Sequence, residues 1–585
     1  MLNLDDQNLV TEVSAAVAWR KRHLLKMQDQ VRKYHGSAYL DENSGGAQDP
    51  ENYAFSYISL VLPRLANDVP RIQVEAQGDQ GDDGTAAAIE LAMNTWASRS
   101  HLRRTIERIA VDMIFTWGAA MVTPEPVESM RRIEPGHGGR TPRVYRIAPD
   151  RFVVDPAASD LSDARYVGHQ YVTDMDDLIE KAEKSSYLDS EAIEGLQSSD
   201  DDMGAQGGPS SRSGRNVPDR EEVIVTELWI PDGESGGIPE EQHLYNGVLI
   251  RLASTASEDF RVISAEPEPY YGPSTGPYTL VGAYTVPGDV YPLGTLTASQ
   301  GLLSELNSHL KSMHAAAGAY RRLVLVDSRG TKLAQDIANS PDLHVVPVEN
   351  IDRDRVVPIE VGGVTQQQIQ YTAMTQDRLD RLTGMNEVIR GAVTGDATAT
   401  EVQTAATSSG LRIAWMQRCF AEAIDQMMYT VAWYMYHDDQ IEMPLSKAEA
   451  DRAMVGTTFR GGVFQEDFES YAVRVSAYSL ERTSEALQQK RALVLLQLVL
   501  QVGQAVPAMP HVRWNRLLEM IGDQLNMPML KDVIGTPGAA QTMPAPGSGS
   551  AAPGAPGGTP ADMGTLMSND MRGVSAGNGR GAVGR

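Results

Sequence analysis

The chain of 585 residues contains one cysteine, Cys419. A lone thiol cannot build an internal disulfide framework or a thiolate metal cluster, and it fits a reducing compartment. Long apolar runs are missing too: the most apolar stretch, residues 492–502, is too short to span a bilayer and includes two glutamines. The first ten residues lack the basic start and apolar run of a signal peptide. These absences favour a protein without disulfides, secretion or membrane insertion.

Positive charge is scarce relative to negative charge. Lys and Arg number 51 against 77 Asp and Glu, which gives a formal net charge of −26. This balance disfavours a protein that grips nucleic acid through a broad basic face. It leaves open a surface that faces DNA without holding it.

Recognisable catalytic and metal-binding motifs are also absent. The 11 histidines form no HxH or HExxH pair, and the Gly-rich residues 391–403 lack the lysine of a phosphate-binding loop. Residues 79–90 partly match a calcium loop, but Gly81 replaces a ligand and the preceding pattern is a strand where an EF-hand has a helix. An acidic loop that enters a helix is favoured over that calcium site. The sequence therefore predicts no enzyme, no cofactor and no metal.

Helical and strand patterns alternate along the chain, which predicts a mixed α+β fold. Strand-like segments dominate residues 120–300, and residues 321–363 contain three β-branched runs with a short helix predicted between the first two. The polar residues 198–220 and the Gly/Pro-rich residues from 536 onward have compositions that cannot bury a core. Helices are predicted over about residues 5–35, 51–66, 85–99, 101–117, 294–320, 365–383, 398–437, 483–504 and 511–526.

The segment GDATATEVQ, residues 395–403, begins the longest of these helices. Thr398 and Glu401 match a capping box, in which each side chain bonds a backbone N–H at the start of the helix. Further along that helix, Met427, Met428, Trp433 and Met435 are predicted to pack in a core rather than hold a cofactor. Acid pairs such as Asp176–Asp177 and Asp438–Asp439 are expected to be solvated.

Four segments, taken in their order, resemble the portal (head-to-tail connector) proteins of tailed bacteriophages. Each pairs a helix or strand with a turn that is similar to one in that family, and together with the elements between them they span most of residues 50–530. The segments are ENYAFSYISLVLPRLANDVPRIQVEA (51–76), HLRRTIERIAVDMIFTWGAAMV (101–122), RIAPDRFVVDPAASDLSDARYVGHQ (146–170) and RLTGMNEVIRGAVTGDATATEVQ (381–403).

The resemblance implies a dodecameric ring at one capsid vertex, around a tunnel through which double-stranded DNA is packaged and ejected. It implies a portal-type subunit with a wing, a helical stem, a small α/β clip and a helical crown. The implied parts are the wing (1–293 and 438–480), the stem helices (294–320 and 364–384), the clip (321–363), the tunnel loop (385–397), the long wing helix (398–437), the crown (483–532) and a Gly/Pro-rich tail (533–585).

The resemblance also implies partners and places for them. The clip would dock the terminase large subunit and a head–tail adaptor, and the ring would contact the major capsid and scaffolding proteins but no membrane. The protein would belong to the virion and to the host cytoplasm during assembly. The side chains expected nearest DNA are Asn386, Arg390, Thr394 and Asp396, and those expected on the docking surface of the clip are Arg321, Arg322, Arg329, Arg353 and Arg355.

Two other functions stay open at this stage. One is an enzyme that hydrolyses nucleotides or nucleic acids, which would require a metal or phosphate site. The other is a different ring-forming structural protein of the virion.

Overall fold

A computed structural model shows that the chain divides into two compact units, residues 1–494 and 495–585, and every residue described below lies in the first. The described residues are 6–35, 52–66, 68–78, 81–126, 139–196, 222–231, 244–254, 260–326, 356–361, 363–384, 399–447, 450–451, 455–464 and 466–475.

Helices and strands both contribute to this unit, as predicted. The helices are α1 (Asp6–His35), α2 (Tyr53–Leu65), α3 (Asp83–Arg99), α4 (Leu102–Phe115), α5 (Met175–Lys184), α6 (Ser190–Glu194), α7 (Thr295–Gly318), α8 (Gln366–Thr383) and α9 (Ala399–His437). The strands are β1 (Ile72–Ala76), β2 (Gly118–Pro126), β3 (Arg140–Ile147), β4 (Phe152–Val154), β5 (Val167–Asp174), β6 (Glu222–Ile230), β7 (Tyr245–Ser254), β8 (Arg261–Val262), β9 (Glu268–Tyr271), β10 (Tyr278–Val281), β11 (Tyr284–Val286), β12 (Asp289–Leu293), β13 (Arg321–Val326), β14 (Val356–Val361), β15 (Glu442–Pro444), β16 (Thr458–Arg460) and β17 (Tyr471–Val475).

The described strands form open antiparallel sheets. The largest has the order β4-β5-β6-β7-β8, with β9 also paired to β7. A second sheet has the order β10-β2-β3, and the pairs β1-β17, β11-β12, β13-β14 and β15-β16 make two-stranded ribbons. The pair β1-β17 joins residues about 400 positions apart, because Ile72 lies opposite Val475. Two distant parts of the chain therefore build one compact unit.

The main hydrophobic core lies between the helices α2, α3, α4 and the second half of α9. Each helix contributes a stripe of apolar side chains at helical spacing, such as Leu102, Ile106, Ile109 and Met113 of α4. The four α9 residues predicted to pack, Met427, Met428, Trp433 and Met435, are all buried in this core. The prediction that they are packing residues is confirmed.

Helix α1 extends along three hydrophobic clusters rather than one. Leu9 and Val13 lie in a cluster with the large sheet, and Leu24 lies in a cluster with Trp117 and Tyr291. Nearer its end, Val31 packs against the main core. At 1.5 Å per residue the helix is about 45 Å long, which lets one element reach all three clusters.

Most helix boundaries agree with the sequence prediction to within a few residues. Helix α9 runs unbroken through Gly410, and α8 ends at Gly384, whose φ of 77° is left-handed as expected for a C-terminal glycine. Helix α2 contains Pro63 and ends two residues later, at Leu65. The predicted helices over 483–504 and 511–526 and the polar segments 198–220 and 536–585 lie outside the described residues.

Strands dominate residues 120–300 as predicted, and two short helices, α5 and α6, with ten and five residues, lie among them. One sequence prediction is wrong. Asp438 is not solvated: its side chain is 4% exposed, lies 3.9 Å from Arg140 Nη1 and accepts a hydrogen bond from Gln440 N. Burial raises the pKa of this carboxyl above its usual value.

Candidate functional site

The Asp-Pro and Asp-Ala-Arg turns of residues 146–170 fold into one ionic cluster. Asp155 accepts hydrogen bonds from Arg165 Nε at 2.5 Å and from Arg165 Nη2 at 2.9 Å. The same guanidinium donates to both carboxylate oxygens of Glu12 in α1, at 3.2 and 3.1 Å. Arg165 therefore ties α1 to the turn between β4 and β5, and this motif has a structural role.

The charge state of Asp155 depends on this cluster. Burial alone would raise the pKa of its carboxyl, but hydrogen bonds from Arg165 and from Ala157 N outweigh burial and hold the pKa below its usual range. A carboxyl whose pKa is lowered by folding stabilises the folded state at neutral pH. That contribution is lost as the pH falls through the lowered pKa.

Replacing Arg165 with Met should reduce the free energy of unfolding by about 2 kcal/mol at pH 7, because Asp155 loses its charged donors. The loss should shrink below pH 4, where Asp155 is protonated in the unfolded chain. Urea unfolding at pH 7 and below pH 4 measures the loss of stability. Faster tryptic cleavage at Lys21 and Arg22 should accompany the loss at pH 7. Arg460→Met removes an exposed ion pair with Glu442 and should have little effect; equal losses in the two variants would contradict the role of Arg165.

Helices α7 and α8 form an antiparallel pair. Tyr371 OH donates to Glu305 Oε1 at 2.8 Å, and the ring of Tyr371 packs edge-on against His309 with centroids 4.7 Å apart. Further along the pair, Gly363 N donates to Ala316 O at 3.0 Å. Glu305 and Ala316 thus contact residues 371 and 363, so the residue numbers increase along α7 where those of its partners decrease. The two helices therefore run antiparallel.

A two-stranded ribbon closes the far end of this helix pair. Strand β13 follows α7 and β14 precedes α8, and Arg321 lies opposite Val361 in their register. The first and third β-branched runs predicted for residues 321–363 therefore pair with each other. The middle run and the short helix predicted between these runs lie outside the described residues.

The helix pair is buried at its base and exposed along its sides. Leu303, Leu306 and Leu379 belong to the main core. Exposed small side chains recur at three- and four-residue spacing along α7, whereas α8 and α9 expose several large apolar side chains. The small residues are Ala298, Gly301, Ser304, Ser308, Ser312 and Ala315, and the large ones are Ile369, Tyr371, Met374, Leu382, Leu411 and Trp415.

The end of α8 is attached to α9 and α2. Arg412 Nη1 of α9 donates to Arg381 O at 2.6 Å and also to Leu382 O. From α2, Tyr53 OH donates to Asp380 Oδ1 at 2.7 Å. The helix thus stops at a fixed place, directly before residues 385–398.

The residues predicted to face DNA or to dock partners lie outside the described part of the chain, or have side chains that do. Asn386, Arg390, Thr394, Asp396 and Thr398 belong to the first group, as do Arg329, Arg353 and Arg355. Arg321 and Arg322 begin β13 and Glu401 lies in the first turn of α9, but their side chains are not described. Their assigned roles stay predictions.

The described residues include no group of three or more His, Cys, Asp or Glu side chains that could hold a metal ion. In the segment compared with a calcium loop, Asp82 accepts from Thr85 N as the N-cap of α3, and Glu90 accepts from Val74 N of β1. Both carboxylates therefore have structural partners. Within the same described ranges, none of the helices combines the length and hydropathy of a membrane span.

Sequence reasoning missed Arg165, Tyr53 and Arg412 as junction residues. The Asp-Ala-Arg turn lies in residues 146–170, which resemble portal proteins, and an arginine placed between two buried strands is the signal that marks Arg165. Tyr53 and Arg412 act on residues 327 and 31 positions away, and no local pattern marks them.

Comparison with known proteins gives one family. Residues 88–272 match the family model described as Phage SU10 portal protein. The matched stretch starts in α3, includes the Asp155–Arg165 cluster and ends after β9, before the α7–α8 pair. No curated protein matches the chain. The match confirms the relationship predicted from the sequence: through residues 88–272, this chain is related to the portal proteins of tailed bacteriophages.

Proposed function

We propose that this protein forms the portal ring of a tailed bacteriophage, a structural and non-enzymatic part of the capsid vertex. The observation that carries the proposal is the family match over residues 88–272, followed in the chain by an antiparallel helix pair with a ribbon at its tip. The order wing, stem and clip of the portal family corresponds to this order of elements. In the ring, residues 1–293 and 438–480 are the wing, 294–320 and 364–384 the stem, and 321–363 the clip.

Contacts between copies use the sides of the stem. A subunit that exposes small side chains on one helix and large apolar ones on others can repeat head to tail, and such contacts close into a ring when the rotation allows. Helix α7 exposes the small side chains, while α8 and α9 expose the large apolar ones. Twelve copies are proposed, in keeping with the family resemblance.

Double-stranded DNA passes through the centre of the proposed ring during packaging and ejection. The loop 385–397 faces the DNA with Asn386, Arg390, Thr394 and Asp396. Because the chain carries a net charge of −26, most of the tunnel wall repels phosphate weakly. Tight phosphate contacts would make each step of translocation depend on counterion rebinding, so a few arginines on an acidic wall suit sliding without sequence preference.

The clip is proposed to dock the terminase large subunit during packaging and the head–tail adaptor afterwards, through Arg321, Arg322, Arg329, Arg353 and Arg355. The crown (483–532) and the tail (533–585) are proposed for the capsid interior. The protein would then reside in the virion, after assembly in the host cytoplasm with capsid and scaffolding proteins.

Electron microscopy of the purified full-length chain tests the ring. Closed rings with a central hole, with the subunit number counted from symmetry, support the proposal, whereas compact monomers would overturn it. An ATP hydrolysis assay on the same sample separates the enzyme alternative, because the portal proposal expects no activity from this chain alone. Rings that fail to support DNA packaging in phage would favour another structural role in the virion.

Replacing Arg390 with Ala should leave the ring intact and reduce DNA packaging or retention, because the loop loses a transient phosphate contact. The measurement is the ratio of DNA-filled to empty particles when the variant is the only copy of this chain. Arg418→Ala serves as the control, since Arg418 is an exposed arginine that pairs only with Glu422 one turn along α9, among the described residues. An unchanged ratio for Arg390→Ala would count against the DNA-facing role.

A further inference from the structure

The last carbonyl groups of α8 have partners outside the helix. A helix leaves its final four carbonyls without intrahelical donors. Here Gly384 N bonds Asp380 O, and Arg412 Nη1 bonds Arg381 O and Leu382 O. A cation at this place also matches the partial negative charge at the C-terminal end of the helix. Two separate devices, a glycine and an arginine, thus end α8 at the same point.

The aliphatic part of Arg412 lies beside the residue where the chain leaves α8. A Cβ atom at position 384 would stand 3.1 Å from Arg412 Cδ, and the left-handed φ of 77° already favours glycine there. Arg412 therefore touches the exit point with its stem while its guanidinium holds the preceding carbonyls. Both contacts depend on one exposed side chain.

Both described residues that flank segment 385–398 are connected to α9. The C-terminal end of this segment continues directly into α9 at Ala399, and Arg412 attaches its N-terminal end to the same helix 13 residues further on. At 1.5 Å per residue these two points are about 20 Å apart along α9. The separation of the ends is thus set by α9 as long as the Arg412 contact holds.

We propose that Arg412 is a positioning residue for the DNA-facing loop: by fixing the last turn of α8 on α9, it sets the point from which the loop leaves. The inference rests on the proposed function, in which residues 385–397 face DNA. Tyr53 OH separately donates a hydrogen bond to the side chain of Asp380. Among the described residues, Arg412 supplies the side-chain donor to the backbone of residues 381 and 382.

The variants Arg412→Ala and Arg412→Lys test this role in the full-length protein, with Arg418→Ala as a control on the same helix. Hydrogen exchange of the amides of residues 380–384 should accelerate about tenfold in Arg412→Ala, because loss of a charge-assisted bond frees the last turn. Arg412→Lys keeps a donor and should show a smaller increase. The ring and its melting temperature should not change, since Arg412 is exposed. Wild-type exchange rates in Arg412→Ala would overturn the proposal.

DNA retention in particles shows whether Arg412 positions the DNA-facing loop or only stabilises the end of α8. Particles with Arg412→Ala should retain less DNA than particles with Arg418→Ala, and Arg412→Lys should restore part of the retention. Faster exchange with wild-type DNA retention would overturn the positioning role and leave the ring proposal standing. If the wild-type chain forms no rings, the proposed function fails, and positioning of a DNA-facing loop fails with it, whatever the exchange rates show.

Discussion

Replacing Gly294 with Ala is expected to lower the free energy of unfolding by about 3 kcal/mol, since overpacking against backbone is costly. A Cβ atom at 294 would lie 2.3 Å from Phe115 O and 2.5 Å from Thr116 N. These are backbone atoms at the end of α4, so no side-chain rotation can relieve the overlap. Helix α7 would have to move away from α4, which would also strain the 2.6 Å bond from Thr297 Oγ1 to Phe115 O.

Gly301→Ala is the matched control in the same helix. Nothing lies within 4 Å of a Cβ atom at 301, and the residue is exposed. Alanine favours a helix over glycine by about 1 kcal/mol, so this variant should be slightly stabilised. Because residue 301 lies where contacts between copies are proposed, unfolding of both variants is measured on dissociated subunits, and the two effects should then have opposite signs. A Gly294→Ala variant as stable as wild type would show that α4 and α7 do not approach so closely.

Replacing Arg146 with Met is expected to cost about 3 kcal/mol at pH 8, because it leaves the carboxylate of Asp112 buried without its partner. Arg146 Nε lies 2.5 Å from Asp112 Oδ2, and Nη2 lies 2.7 Å from Oδ1. The Asp112 side chain is 6% exposed, whereas that of Arg146 is 33% exposed. The loss is therefore placed at the low end of the range for buried pairs.

The pH dependence of this variant follows from the state of Asp112. Burial raises the pKa of Asp112 to about 6, although the Arg146 guanidinium acts in the opposite direction. The folded state then binds more protons than the unfolded state between the usual Asp pKa of about 3.9 and that value. The contribution of this carboxyl to stability is complete at lower pH and falls as the pH rises toward 6. Removing Arg146 raises the pKa further, so the cost of Arg146→Met should shrink at pH 5.

Two comparison variants sharpen this test. Asp112→Asn should cost less than Arg146→Met at pH 8, because the partly exposed Arg146 can then turn toward water. Arg418→Met, which removes an exposed pair with Glu422, should change the free energy of unfolding by less than about 0.5 kcal/mol. Unfolding curves at pH 5 and pH 8 measure all three. A pH-independent loss in Arg146→Met would contradict a buried, ionised Asp112.

The long elements were predictable because their patterns repeat over many turns. Helices α1 and α9 have 30 and 39 residues, and their apolar spacing marks them without further information. Helices α5 and α6 are too short to be stable alone. Helix α5 is held instead by burial of Met175, Leu178 and Ala182 in a small cluster. The cluster also includes Ile193 of α6 and residues of the distant strands β6 and β7, so the sequence around α5 alone does not reveal it.

The burial of Asp438 and the contacts of Tyr53 and Arg412 with α8 could not be predicted for the same physical reason. The carboxyl of Asp438 lies 3.9 Å from Arg140 of β3, which is distant in sequence, and Gly461 packs closely against the backbone carbonyl of Asp438. Tyr53 and Arg412 reach α8 from helices that are distant in sequence. Local periodicity predicts which face of an element is apolar, but it does not predict which element covers that face. The family resemblance supplied the order of parts and not these contacts.

Helix α1 has a thermodynamic consequence. Because helix α1 supplies side chains to all three clusters, unfolding of one cluster removes packing contacts from the other two. Helix formation is itself cooperative along its length, so partial loss of α1 is disfavoured. The described unit should therefore unfold in one cooperative transition. Proteolytic cleavage within α1 should convert this into several transitions.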